Sequence, residues 1–309
     1  MEAQQETKMP ASNLLTPWGD PDLRGIWTNT TSTPFERPSE FGEREFLTDE
    51  EFAQKQQEAK QQERDAIEGE QTKVASGPEH WYEHLGKTSN RTSHVIDPPN
   101  GKVPALTAEA QQRPVKGTMH REYFESWEDL SAWDRCITRS VPGSMLPSFY
   151  NNNYQILQTP DFVVIFYEMI HDIRFIALNN QPRLPENLRQ WMGDSRGHWE
   201  GNTLVVEVLN FTNQTPLHPV RGEASKVNHS QNLKVIERFT RINKETIDYR
   251  FTVDDPSTFM QPWSAAIPMT TNDAPDAMFE YACHEGNHAL GHILSASRAQ
   301  DAKDEGVSK

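Results

Sequence analysis

The chain has 309 residues, enough to bury a sizeable core, with 24% charged and 35% hydrophobic residues, 21 prolines and a formal charge of −15. That charge excludes a binder of phosphate backbones, which needs a basic stripe, and disfavours anionic membrane surfaces. No apolar run approaches the roughly 18 residues of a membrane-spanning helix, so no integral membrane segment is expected.

In chain order, residues 1–22 are polar and read as a disordered tail. No signal peptide is present, and Met1-Glu2-Ala3-Gln4-Gln5 reads as a mature exported start behind an added Met. Gly25-Ile26-Trp27 then heads a first strand. This Gly-x-Trp resembles the opening of lipocalin-like barrels, whose Trp plugs the floor, and fits a core Trp on an ordinary strand equally well. Thr48-Asp49-Glu50-Glu51 is a capping box opening a solvated helix to about Glu68, which touches the body through Phe52 and Ile67. From Gly69 to Gly117 the chain is loop-like, with a short strand at Ser93–Asp97 and a turn at Pro98-Pro99-Asn100-Gly101. Residues 134–149 form another loop, carrying Cys136, and such long covering loops commonly serve binding.

Strand signals then dominate: Tyr154–Gln158, Phe162–Met169, Ile173–Leu178, Thr203–Leu209, Leu233–Ile242, Thr246–Val253, Met260–Met269 and Met278–Cys283. Before Thr203, Glu200-Gly201-Asn202 is a turn, and Asp194, Arg196, His198 and Trp199 lie on its polar approach loop. Asn287–Lys303 has helical spacing, and 301–309 should fray. Short turns between sequential strands predict a mainly β fold, an antiparallel up-and-down, lipocalin-like barrel of about eight to ten strands. Residues 23–300 read as one domain, with a capped N-terminal helix, covering loops and a C-terminal helix. The two cysteines, Cys136 and Cys283, are either buried thiols or one long-range disulfide of an exported protein.

Five segments together carry a resemblance. They are Asp20-Pro21-Asp22-Leu23-Arg24-Gly25-Ile26-Trp27, Tyr150-Asn151-Asn152-Asn153-Tyr154-Gln155, Glu168-Met169-Ile170-His171-Asp172, Arg189-Gln190-Trp191-Met192-Gly193-Asp194-Ser195-Arg196-Gly197 and Tyr281-Ala282-Cys283-His284-Glu285-Gly286-Asn287. With them the chain resembles a group of mostly exported bacterial proteins usually described as hypothetical. The resemblance implies a signal peptide in the precursor and a β-rich fold, hence a periplasmic or secreted protein, with a cytoplasmic one still open. It brings no catalytic assignment, and members of the group carry Tyr where this chain has His288.

Three polar clusters fall at expected strand ends. His171 and Asp172 form a turn, where an imidazole beside a carboxylate suits proton transfer, although Asp also fills turns. Asp194 and Arg196 either pin their loop as an ion pair or offer an acid and an oxyanion clamp. Ser195 lacks the Gly-x-Ser-x-Gly spacing of a serine hydrolase. His284-Glu285-Gly286-Asn287-His288 matches His-Glu-x-x-His, with His292 a turn further on. Gly286 and Asn287 favour a turn there, so no metal is assigned and His284, His288 and His292 stay weak candidates. Glu168, Glu207 and Glu237 interrupt apolar strands and need partners such as Arg174, Arg238 or Arg250 if buried. Tyr150, Asn152, Tyr154, Glu168, Trp191 and Trp199 are the candidate ligand-lining residues. No nucleotide-binding glycine motif occurs.

The expectation is an enzyme of lyase, dehydratase, isomerase or cyclase type. It would act by acid–base chemistry, without a cofactor, on a small, largely apolar aromatic or terpenoid-like ligand held in the barrel. His171, Asp172, Asp194, Arg196, His284 and Glu285 would be its catalytic residues. The alternatives are a non-catalytic periplasmic carrier of a hydrophobic molecule and a metal-dependent hydrolase using the His284–His292 run.

Overall fold

The computed structural model describes residues 14–68, 89–113, 124–148, 150–179, 181–217, 227–272 and 278–304, the side chains of 62–68 excepted. Ten strands are present among them: β1 (Gly25–Thr28), β2 (Val95–Asp97), β3 (Asn153–Gln158), β4 (Phe162–Tyr167), β5 (Ile173–Ala177), β6 (Asp194–Glu200), β7 (Thr203–Leu209), β8 (Lys234–Asn243), β9 (Thr246–Asp254) and β10 (Trp263–Thr271). Nine of them close a barrel in the order β1-β3-β4-β5-β6-β7-β8-β9-β10, sealed by β1 against β10, and β2 adds onto β10. The helices are α1 (Asp49–Glu68), α2 (Ala108–Gln112) and the C-terminal α3 (His288–Asp304), with a few short 3-10 turns.

Period-two alternation sends one face of each strand inward. β8 buries Val235, Glu237 and Phe239, β9 buries Ile247, Tyr249, Phe251 and Val253, and β4 buries Val163, Ile165 and Tyr167. With Trp263, Ile267 and Met269 these side chains fill the lumen. Each large apolar one contributes about 1.5–3 kcal/mol by leaving water. Trp27 is fully buried, donates its indole N–H to the Leu23 carbonyl at 2.9 Å and carries the Arg241 guanidinium 4.5 Å over its ring.

The mainly β closed barrel of the sequence reading is present, but its strictly up-and-down form is corrected. β5 and β6 pair in parallel through Ala177 and Arg196. Residues 178–193 carry the chain back to the end where β5 began, so both strands start there. Gly193, at φ +69°, makes the turn into β6, where an added Cβ would lie 2.6 Å from Val208.

Other boundaries also move. Asp194–Trp199 is not an approach loop but the body of β6, paired along its length with β7. Met278–Cys283 forms no strand, and β1 closes the barrel instead. Local contacts are present within residues 14–22. Leu15 bridges Pro21, and Thr16 and Asp20 bond to each other; residues 1–13 lie outside the described residues. The capping box is as read: Glu51 N–H donates to Thr48 Oγ1 and Thr48 N–H donates to Glu51.

Candidate active site beneath the C-terminal helix

β3, β5 and β6 start at one end of the barrel, and two chain segments cover it. The first, residues 124–148 and 150–152, has no regular structure beyond short 3-10 turns. The second runs from residue 278 into α3, a helix with no buried residue. Because α3 cannot hold itself down by burial, discrete bonds tether it. A disulfide joins Cys136 to Cys283, so the long-range pairing is the one of the two cysteine readings that holds. Asn287 Nδ2 donates to the Asp134 carbonyl at 3.1 Å, and Ser297 Oγ accepts from Phe124 N–H at 3.1 Å. Glu168, fully buried, accepts from Asn153 Nδ2 at 2.7 Å and from Phe279 N–H at 2.7 Å, which pins the segment leading to the disulfide.

Between these segments lies an open cavity of about 430 Å³. Leu130, Trp133, Leu290 and Ile293 make its apolar walls, Tyr150 and Tyr281 stack at 6.4 Å, and Asp134, Glu280 and Asn287 add polar groups. Trp133 also borders a second space of about 10 Å³, shared with Ser131, Thr138, Arg139 and Thr215. Arg139 is 3% exposed and lies 5.5 Å over the Trp133 ring. Its Nε and Nη2 have no hydrogen-bond partner among the described residues. Burial pulls its pKa below the usual guanidinium range, opposed by the phenols of Tyr154, Tyr281 and Tyr150. Thr215 Oγ1 sits 2.8 Å from His229 Nε2, and burial holds that imidazole down to about 4.

Asp172 joins this end of the molecule through Thr138, whose hydroxyl donates to it at 2.9 Å. Burial raises the Asp172 pKa, and the bonds from Thr138 and from Ile173 N–H work against that rise. His171, next to it, is exposed, takes φ 63° and sets its ring 4.8 Å from Phe166. The two stay together at the turn after β4, with only the carboxylate directed into the cover.

The other expected clusters do not converge there. β6 alternation turns Ser195 into the barrel and leaves Asp194 and Arg196 on the outer face. There they pair with each other and hold a loop: Leu184 N–H donates to Asp194 at 3.1 Å and Arg196 donates to the Pro182 carbonyl at 2.6 Å. Glu207, also outward, is bound by Arg183 and Lys234. His284 and Glu285 are exposed in the turn before α3, outside the helix that a zinc motif needs. His288 and His292 stack at 6.4 Å on α3, and no group of three or more His, Cys, Asp or Glu suited to a metal occurs among the described residues.

Among the expected ligand-lining residues, Tyr150 lines the large cavity, and Tyr154 points inward with its ring edge-on to Tyr167 at 5.8 Å. Asn152 staples a turn by two bonds to the Ser148 backbone. Trp191 packs 5.8 Å from the Arg135 guanidinium, and Trp199 is half-buried against the core.

Inside the barrel, Glu237 meets Arg174 in a two-pronged pair at 2.5 and 3.1 Å. Ser195 Oγ accepts from Arg174 Nε at 2.9 Å, and Tyr249 donates to Glu237 at 2.9 Å. Burial acts against the Arg174 charge, but Glu237 and Tyr167 together outweigh it and hold the guanidinium raised. Burial likewise pushes both the Tyr167 and the Tyr249 phenol up. This cluster is saturated and sits among packed rings, so it braces the lumen.

Sequence reasoning missed Trp133, Arg139, Tyr281 and Leu290. Their one common signal is position, in or beside the stretches that carry Cys136 and Cys283. Comparison with known proteins found no matching protein family, no matching curated protein and no matching solved structure.

Proposed function

We propose that this protein binds a small, largely apolar molecule in the cavity beneath α3 and transforms it by acid–base chemistry of lyase, dehydratase, isomerase or cyclase type. The observation that carries this reading is the cavity itself. At about 430 Å³ it lies within the size range of small-ligand sites, roughly 300–1,000 Å³, and its walls mix aromatic and aliphatic side chains with the polar groups of Asp134, Glu280 and Asn287. The packed lumen argues for a ligand at the barrel end, not deep inside. Asp172 lines neither space itself but reaches this end through Thr138, and it is our choice of proton carrier because burial raises its carboxyl pKa toward neutral pH. Tyr150, Tyr281 and Glu280 orient the ligand. Trp27 beneath Arg241 supports the lipocalin-like reading of the barrel floor. The disulfide is consistent with an oxidising, extracytoplasmic location, and we take the periplasm or the cell exterior as the site of action.

A second reading, a carrier of a hydrophobic molecule, is favoured by the outward Asp194–Arg196 pair and the exposed His171, which leave fewer titratable groups around the ligand. The discriminating experiment incubates oxidised protein with a bacterial small-molecule extract and follows bound and free species by mass spectrometry. An enzyme consumes one species, and Asp172→Asn retains binding but loses turnover. A carrier returns its ligand unchanged. Leu290→Trp, which fills the cavity, abolishes capture in either case; capture equal to wild type would move the site elsewhere.

A further inference from the structure

We infer that Arg139 is the anion-recognition residue of the cavity beneath α3, and that the ligand is an apolar or aromatic molecule bearing a carboxylate; this rests on the ligand-site reading of that cavity. A guanidinium keeps its charge at any physiological pH, so burial must be met by a partner. The other deeply buried arginines among the described residues obey this rule. Arg174 has Glu237, and Arg37 donates to Thr92 Oγ1 at 2.9 Å and to the Pro99 carbonyl at 2.7 Å. Arg139, 3% exposed, has no ion-pair partner among the described residues and leaves Nε and Nη2 unused. This occurs in a chain with 45 acidic and 30 basic residues, where a carboxylate partner would have been easy to supply.

The position of Arg139 fits a ligand-facing role. It borders the small space of about 10 Å³, large enough for the tip of a polar group and too small for a molecule. Trp133 lines that space and the larger cavity alike, and Arg139 rests on its ring. Tyr150 and Tyr281, on the wall of the larger cavity, are near enough to act electrostatically on Arg139. A carboxylate that reaches past Trp133 would satisfy the guanidinium fork, while its apolar body occupies the larger cavity. Neutral molecules of the same shape gain the apolar contact and forgo the charge-assisted bonds.

The test is isothermal titration calorimetry on the oxidised 309-residue chain with two probes of matched shape, 2-naphthoate and 2-naphthalenemethanol. Wild type is expected to favour the carboxylate by about tenfold or more, the size of one charge-assisted hydrogen bond. Arg139→Met should bind both probes alike, and Arg139→Lys should keep part of the preference. If Arg139→Met does not fold, the wild-type preference for naphthoate still decides. Equal affinity of wild type for the two probes overturns the inference, as does an Arg139→Met protein that still prefers naphthoate. Acetate or chloride matching naphthoate in stabilising wild type at equal ionic strength would make Arg139 a small-ion site and overturn it too. Wild type that binds neither probe removes the cavity reading first, and the Arg139 inference with it.

Discussion

Glu237 and Arg174 meet amid inward side chains that are mostly hydrocarbon or aromatic, and both are essentially inaccessible, at 0% and 3% exposure. Replacing one partner of such a pair strands the other charge, which costs about 3–5 kcal/mol. Glu237→Gln should therefore lower the urea-unfolding free energy by about that amount, since Arg174 has no second carboxylate among the described residues. The double replacement Arg174→Met with Glu237→Leu removes both charges and should regain much of the loss, short of wild type because Ser195 and Tyr249 lose their partners. A Glu237→Gln protein within about 1 kcal/mol of wild type would mean that the pair does not brace the lumen. Asp194 and Arg196 make the contrast. They form a close ion pair as well, but on the outer face, where Arg196 is partly solvated and the stabilisation is smaller.

At the scale of the element, α3 is held by a few discrete bonds, the disulfide foremost among them. It buries no side chain, and the contacts that fix it among the described residues include the disulfide, the Asn287 and Ser297 hydrogen bonds and the Phe279–Glu168 bond before it. The disulfide closes a loop with a sequence separation of 147. In the chain-entropy view that contributes up to about 5 kcal/mol by restricting the unfolded chain. Reduction, or Cys136→Ser, should release α3 before it opens the barrel, because the strand ladders do not pass through either cysteine. Limited trypsin digestion followed by mass spectrometry should then show early cleavage at Arg298 and Lys303, with the fragment spanning β3 to β10 intact. Cleavage rates unchanged by reduction would show that α3 is held by other contacts. Since α3 supplies Leu290 and Ile293 to the cavity, ligand capture should fall in the same samples.

For the whole molecule, what was legible in the sequence follows from periodicity. Alternation along β4, β8 and β9 exposes the inner face to reading, and so marks Glu237 as an acid in an apolar strand with Arg174 as one possible partner. The same alternation shows that Ser195 and Arg196 face opposite ways, but only once Asp194–Trp199 is known to be a strand; its glycine, serine and charges suggest a loop. The parallel step at β6 is a consequence of the 178–193 crossover, which has no local signature. Arg139 and Trp133 were not legible because an irregular segment has no period to tell which side chain turns inward. Burial of polar groups also sets a global pH response. His94 and His229 are both fully buried and are held down to about 4, chiefly by desolvation. An unfolded His titrates near 6.5, so between there and about pH 4 the unfolded chain binds more protons and stability falls with acidification. The stability is fully present above about pH 6.5 and is lost as the pH falls toward the folded value, by at most roughly 3 kcal/mol per imidazole. Asp172, with its pKa raised, acts in the opposite sense in the range just above the ordinary aspartate value, and the lowered pKa of Glu207 adds a further loss in stronger acid. Urea unfolding between about pH 7 and about pH 4 should show this slope, and His229→Asn should flatten it by about half. A stability that stays level from about pH 7 to about pH 5 would mean that the two imidazoles are not held neutral by burial.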